Sequence, residues 1–495
     1  MKFTLRNREI FVHLKDLVLS KIFHIFILSL ILRLLYVNVN APFVFHPDEP
    51  TIVNSTINLR YNFNPKHFDW PTLTYYLNYP IYDFFERLDS KLKRDFDLDL
   101  NLINFFNYYL FTRVFTAFIG SLTVLFIYFS LTNFGISKNV SLISSSIFSL
   151  MPFFLFRSAQ ALPDVPMLFF GVLMVYFISK HYISNRFIFL IASSFCLGLS
   201  ISSKYTGYVF GITLLGYLFF RFKFSLNFIK SVIFCGILII LGFLVGTPYA
   251  LLDLKTFLIS DSPKGALWQF QNVGRSDLFS QIWYFLNNLF LFELENFGYV
   301  PQIAVLVFIG VTIYEKVKLK KNKVNVGIPI GLFVIFLIQY FYVFWTVSGI
   351  SSGSQRAQHF IPVIPFIIIL SSLFFDRINY SKVKVIFVIF IFLNLPSYLA
   401  RIESDPIVKY FYRTVNLGAF MQKGELANYN ESNMVPVLEK IGYDLEKFDE
   451  RKELPSNTGK IFSSVNLCKN DNCGLKVIFI EKNIFSNKIL YVYDK

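Results

Sequence analysis

The chain carries no G-x-x-x-x-G-K-[ST] and no G-x-G-x-x-G, so neither of the common glycine devices for cradling a nucleotide phosphate is present. Transport driven by nucleotide hydrolysis on this chain is disfavoured accordingly. Histidine and cysteine are scarce too, with 6 and 4 residues in 495. Cys196 and Cys235 sit in apolar runs and read as packing residues. Cys468 and Cys473 are spaced C-x4-C in a polar tail without a further Cys or His nearby. That favours a small disulfide loop over a metal site if the tail faces an oxidising compartment, with a pair of free thiols as the alternative. Charged residues make up only 16% of the chain, and no internal repeat is evident.

Apolar residues fill the space those absences leave. Hydrophobic residues amount to 54%, aromatics to 19%, and the mean hydropathy is +0.51, far above a soluble protein of this length. Windows of about 18 to 22 residues nearly free of charge are long enough to cross a hydrocarbon layer of roughly 30 Å. The first, 18–39, is too long and too late for a signal peptide and contains Arg33. It is expected to be a retained helix.

The net charge of +15 suggests an anionic partner until the positions are inspected. Lys and Arg cluster between the apolar windows: Lys2 to Lys21, Lys180 with Arg186, Arg221 to Lys230, Lys316 to Lys323, and Arg377 to Lys384. This is the positive-inside distribution, which makes the membrane the partner and gives no support to a nucleic acid. The predicted spans are 18–39, 106–132, 139–156, 164–180, 187–203, 206–221, 230–249, 298–315, 326–347, 359–375 and 383–399. A bundle of about eleven crossings with the N-terminus inside leaves the C-terminus outside. Two units follow: a membrane module, 1–399, with a first outer loop over about 40–105, and a polar extracytoplasmic appendage, 400–495, expected to be small and α/β.

The first outer loop holds the stretch around which the chain is organised, His46-Pro47-Asp48-Glu49-Pro50. Pro47 and Pro50 fix φ, and Pro50 suits the first turn of a helix whose N-terminal dipole favours the two carboxylates. Ile52, Val53, Ile57 and Tyr61 are predicted to share one face of that helix, and a second is predicted from Pro71, interfacial with Trp70 and the tyrosines at headgroup depth. The run Asp89–Asp99 reads as a solvated turn. Further along, Asp164 stands between Pro163 and Pro166 at the same outer side, with Arg157 just before it. Lys204, in Ser202-Ser203-Lys204-Tyr205-Thr206-Gly207, and Arg356 are basic residues outside, against the general bias. An ammonium with hydroxyls and a glycine turn makes a phosphate site; a lysine snorkelling to the headgroups is the alternative.

These motifs, taken with Asn64-Pro65-Lys66-His67-Phe68-Asp69-Trp70-Pro71-Thr72-Leu73 and Arg356-x-x-His359-Phe360-x-Pro362-x-x-Pro365, resemble the bacterial branch of the dolichyl-phosphate-mannose protein mannosyltransferase superfamily. That superfamily includes the lipid A aminoarabinose transferases, and the resemblance runs over roughly 15–400. It implies a GT-C fold, a polyprenyl-phosphate sugar as donor, and inverting transfer at the outer face to a lipid, glycan or protein acceptor. It implies Asp48 as the catalytic carboxylate with Glu49 beside it, Asp164 as a second acid, and Lys204 and Arg356 on the donor phosphate. His46, Arg157, Tyr205 and His359 are expected to bind substrate.

Chemically, Asp48 acts as a base if an apolar wall and the like charge of Glu49 raise its pKa. His46, Asp48 and Glu49 are conceivable ligands for a divalent metal, but their spacing matches no standard motif, and Lys and Arg alone can neutralise a lipid monophosphate. No cofactor is expected, with a divalent metal as the alternative. A glycolipid transporter or flippase is the alternative class, although it calls for charges near mid-span, whereas Asp48, Asp164, Lys204 and Arg356 fall at outer ends. A membrane scaffold whose tail binds a partner is a third.

Overall fold

The computed structural model describes residues 21–37, 48–98, 105–262, 264–268, 300–301, 303–307, 310–311, 338, 361–403, 460–463, 475–482 and 487–494. His46, Arg356, His359, Cys468, Cys473 and most of the predicted spans 298–315 and 326–347 lie outside them.

The described part of residues 21–403 is helical. In chain order it contains α1 (Lys21–Val37), α2 (Glu49–Asn58), α3 (Leu73–Phe96), α4 (Phe105–Asn133), α5 (Lys138–Leu150), α6 (Pro152–Arg157), α7 (Asp164–Ser184) and α8 (Phe187–Ser203). A 3-10 turn, Tyr205–Val209, leads into α9 (Phe210–Phe222), followed by α10 (Leu226–Gly246), the short α11 (Tyr249–Leu252) and α12 (Leu254–Phe257), α13 (Ile364–Phe375) and α14 (Tyr380–Glu403). Among the described residues, Asn107–Asn133, Asp164–Ser184 and Leu226–Gly246 are long and apolar enough to cross a membrane, and Phe187–Ser203 and Ile361–Phe375 are shorter apolar helices. The outward face of α10 exposes Ile229, Ile233, Ile237, Ile240 and Val245. Such a face suits lipid rather than water. The protein is a multi-pass membrane protein.

Small residues let the central helices approach. On α8 Gly198 and Ser202, and on α10 Gly242 and Gly246, form two small-x-x-x-small stripes that face each other. A Cβ on Gly198 would stand 2.2 Å from the Ile239 carbonyl oxygen, and one on Gly242 2.3 Å from that of Phe195. The contact is made by backbone, and any larger residue separates the pair. Above it, Ser202 Oγ and Thr247 Oγ1 are 2.6 Å apart, while Thr72 Oγ1 donates to the Gly246 carbonyl at 2.9 Å. The segment between α2 and α3 is thereby fastened to the α8–α10 seam.

A third device is a broken helix. The predicted span 139–156 is not continuous, because Pro152 lacks a donor and Met151 is extended (φ −56°, ψ 121°), separating α5 from α6. The break frees the carbonyls of Ser149 and Leu150. Arg33 on α1 donates to the first through Nη2 at 3.3 Å and to Ser149 Oγ through Nη1 at 3.2 Å, while Tyr398 on α14 donates to the second. Ser29 Oγ accepts another Arg33 bond at 2.6 Å, and Phe154 lies under the guanidinium at 4.7 Å. A buried cation inside the bundle is thus held by carbonyl and hydroxyl dipoles.

Both outer-loop helices form where the prolines place them, with two differences. Ile52 and Val53 are buried, but Tyr61 is 79% exposed, because α2 ends at Asn58 and the chain turns before that tyrosine can join its face. The run after Asp89 is helical to Phe96 rather than a turn. Arg87 pairs with Asp83 and Lys93 with Asp89, each one helical turn apart, and Asp97 ends the helix in the left-handed region at φ 53°. Pro80 lies inside α3, which continues past it. α2 and α3 join through Ile52, Leu59 and Tyr75, with Trp70, Tyr76 and Tyr79 around them.

In the tail, β1 (Lys460–Ser463), β2 (Leu475–Lys482) and β3 (Asn487–Asp494) form an antiparallel sheet in the order β1-β3-β2. Lys460 is opposite Asp494 and Leu475 opposite Tyr493, with an irregularity between Val477 and Phe479. The runs Val477-Ile478-Phe479-Ile480 and Ile489-Leu490-Tyr491-Val492-Tyr493 fall in β2 and β3. The membrane helix α14 extends to Glu403, a few residues past the expected boundary.

Candidate active site

Asp48 occupies the N-cap position of α2, half-buried, with Glu49 opening the helix and Pro50 in its first turn. Glu49 is fully buried. Its Oε1 accepts from Arg113 Nε at 2.9 Å and from the Ala161 backbone N–H at 2.7 Å; its Oε2 accepts from Arg113 Nη2 at 2.8 Å. Arg113, equally buried on α4, also donates through Nη1 to the Val37 carbonyl at 3.2 Å. One fork-to-carboxylate pair therefore ties the ends of α1 and α2 to α4 and to the loop after α6. It also removes the expected like-charge partner of Asp48, since the guanidinium compensates Glu49 directly.

That loop continues to Asp164, the first residue of α7, where a carboxylate is favoured by the helix dipole. Asp164 Oδ1 accepts from Lys204 Nζ at 2.8 Å. Lys204 is held there by an extended backbone (φ −153°, ψ 134°) between α8 and the 3-10 turn, and Gly207 closes that turn through its N–H to the Lys204 carbonyl at 2.9 Å. The ammonium also lies over the Trp70 ring, 5.6 Å from its centroid. Lys204 is thus engaged with the site rather than snorkelling. Tyr205 donates from its hydroxyl to the Phe68 carbonyl at 2.7 Å, and burial, with the nearby Asp69 charge, pushes that phenol well above its usual range.

Arg157, at the end of α6, donates to Gln160 Oε1 at 3.0 Å and covers the Phe153 ring at 5.4 Å. The structure brings Asp48, Glu49, Arg157, Asp164, Lys204 and Tyr205 into one connected region through the 157–164 loop and the 68–70 segment. His46, Arg356 and His359 lie outside the described residues. Among the described residues no three His, Cys, Asp or Glu side chains cluster in a way that would hold a metal ion.

Two features escaped the sequence reading. Arg113 is a single charge in an otherwise apolar helix, a signal present but unused. The other is His67, noted only as a letter in a motif. Its Nε2 is 2.9 Å from Ser55 Oγ and its Nδ1 2.8 Å from Asp69 Oδ1, so a hydrogen-bonded line crosses from α2 to the 67–70 segment. Farther out, Asn64 donates to Asp253 Oδ2 at 2.7 Å, and the Phe68 ring meets Phe257 with centroids 5.5 Å apart. The first outer loop is thus joined to the segment after α10.

Residues 92–260 match the family profile Dolichyl-phosphate-mannose-protein mannosyltransferase. Dolichyl-phosphate-mannose–protein mannosyltransferase 1 of Saccharomyces cerevisiae is 32% identical over 152 residues, covering 29% of this chain and 18% of the yeast protein. The chain thus matches less than a fifth of that relative's length. Among solved structures, ArnT from Cupriavidus metallidurans bound to undecaprenyl phosphate superposes with a TM-score of 0.50 at 15% identity, over 79% of this chain and 67% of ArnT. The same protein in the apo state gives 0.52 at 15% identity, over 79% and 66%.

Proposed function

Because the chain has the GT-C fold of polytopic membrane glycosyltransferases, we propose that it transfers a sugar from a polyprenyl-phosphate donor to an acceptor hydroxyl at the extracytoplasmic face of the membrane. The observation that carries this reading is the connected line from Asp48 and Glu49 through Ala161 and Asp164 to Lys204 and Trp70, which gathers acids and a cation from three separate loops.

In the proposed reaction Asp48 accepts the proton of the acceptor hydroxyl as its oxygen bonds to the anomeric carbon. The bond from that carbon to the phosphate oxygen breaks on the opposite side, which inverts the centre and releases polyprenyl phosphate. Lys204 has three donors and uses one on Asp164, so the rest are available to the departing phosphate. Glu49, with its oxygens committed to Arg113 and Ala161, fixes the N-terminus of α2 and with it Asp48. Arg157 and Tyr205 border the same region, and His46, Arg356 and His359, which lie outside the described residues, are assigned to substrate binding on the resemblance alone. Residues 1–399 form the catalytic module, and 400–495 form a separate extracytoplasmic unit.

Arg33 and Arg113, buried inside helices, are the charges a glycolipid transporter would use. Both are fixed in place, Arg113 by Glu49 and Arg33 by the carbonyls of a broken helix, which favours a static scaffold over a moving pathway. The test is turnover of purified protein with a panel of radiolabelled polyprenyl-phosphate sugars. Wild type is expected to release polyprenyl phosphate, and Asp48→Asn to lose at least about a hundredfold in rate while keeping its thermal transition. Full turnover in that variant would remove Asp48 from the reaction.

A further inference from the structure

The Ser55–His67–Asp69 line has the order of partners found in hydrolytic triads, but Ser55 is only 6% exposed on a helix flank, which disfavours a nucleophilic role. The open end is the carboxylate. His67, Asp69 and Trp70 are partly exposed while Phe68 between them is fully buried, and Asp69 Oδ2 has no hydrogen-bond partner among the described residues. Asp69 is surrounded by groups that fix it without neutralising it. His67 holds Oδ1, Tyr75 on α3 and Tyr205 on the 3-10 turn lie within electrostatic reach, and the next residue, Trp70, underlies Lys204. A carboxylate with one oxygen clamped and the other unfilled, on the residue next to the ring that underlies the ammonium proposed to meet a phosphate, is an acceptor for ligand O–H donors.

Building on the proposed donor class, we infer that Asp69 Oδ2 receives a hydroxyl of the transferred sugar. His67, braced by Ser55, is the positioning residue that aims it. The phosphate and the sugar of one donor are then read by adjacent residues of one segment, through Lys204 over Trp70 and through Asp69. In the neutral tautomer that fits both bonds, His67 donates from Nδ1 to Asp69 and accepts at Nε2 from Ser55. A glutamine at 67 can still donate to Asp69; an alanine cannot.

The experiment measures binding of full-length protein in nanodiscs to undecaprenyl phosphate and to its mannosyl, glucosyl and galactosyl forms, without acceptor. The informative quantity is the gain in affinity that the best-bound sugar brings over the bare lipid phosphate. Asp69→Asn is expected to cut that gain about tenfold and leave bare-lipid affinity unchanged. His67→Ala should do the same, with His67→Gln restoring most of the gain. Equal weakening of both lipids by Asp69→Asn, or no change in either, overturns the subsite. His67→Gln behaving like His67→Ala overturns the positioning role. Wild type binding none of the four lipids sinks the donor class itself, a result seen before any substitution is made.

Discussion

Two ion pairs hold the site, and they are built differently. Glu49 and Arg113 are sealed from solvent, joined by two parallel bonds, and further bonded to the Val37 carbonyl and the Ala161 N–H. Lys204 and Asp164 share a single contact, and the lysine side chain keeps 11% of its surface open. Desolvating two charges is costly, and a buried pair persists where its geometry is fully satisfied; nothing more can be asked of such a pair. The second keeps capacity in reserve. Under the proposed function, the first pair serves architecture and the second meets substrate.

The largest expected effect breaks the first pair. Arg113→Met leaves a carboxylate buried without its guanidinium, which should cost about 3–5 kcal/mol of stability and abolish recovery of folded protein. The double variant Glu49→Gln/Arg113→Met removes both charges but keeps an acceptor for the Ala161 N–H, and should recover most of that loss in thermal unfolding. A single variant as stable as wild type would refute the architectural assignment. If the double variant folds but turns over poorly, the charge of Glu49 acts on the chemistry as well.

Next comes the second pair. Lys204→Met should lower the transfer rate by about 10²–10³, the range for losing one charge-stabilising donor in a transition state. It should disturb folding less than Arg113→Met, because Asp164 retains the dipole of α7. Arg at 204 need not rescue, since its planar fork cannot reproduce a point charge set over Trp70. Transfer within twofold of wild type in Lys204→Met would make the two pairs equivalent and dissolve the distinction.

How far these features are legible in sequence depends on the range of the interaction. Helix starts at Pro50 and Pro152 and the seam of small residues on α8 and α10 are written locally. Pro152 was nevertheless read through, because apolar residues run unbroken on both sides of it. The helix to Phe96 was missed for the converse reason, as its charges look like solvated loop until their one-turn pairing is counted. Partnerships were not legible. Glu49 finds Arg113 64 residues away and Ala161 112 away, and nothing in a charge's neighbours says which distant group will neutralise it. For that reason Glu49 was expected to act with Asp48, whereas its charge is spent on Arg113.

The smallest effect concerns the rim, where the same contrast recurs on the surface. Asp253 is half-buried, and its carboxyl is held below the usual carboxylate range by hydrogen bonds from Asn64 first and Thr256 next. A carboxyl whose pKa is depressed on folding stabilises the folded form above its unfolded pKa, and that contribution fades as the pH falls through the folded value. The Asn64–Asp253 join between the first outer loop and α12 should therefore hold at neutral pH and weaken in acid, below about pH 4. Hydrogen exchange of the 62–66 segment should accelerate there in wild type. Asp253→Asn should show fast exchange at every pH, with a change in global stability below about 1 kcal/mol because solvent screens the site. Exchange that is independent of both pH and this substitution would mean that the Phe68–Phe257 contact and the Phe68 N–H bond to the Lys264 carbonyl hold the rim without the carboxylate.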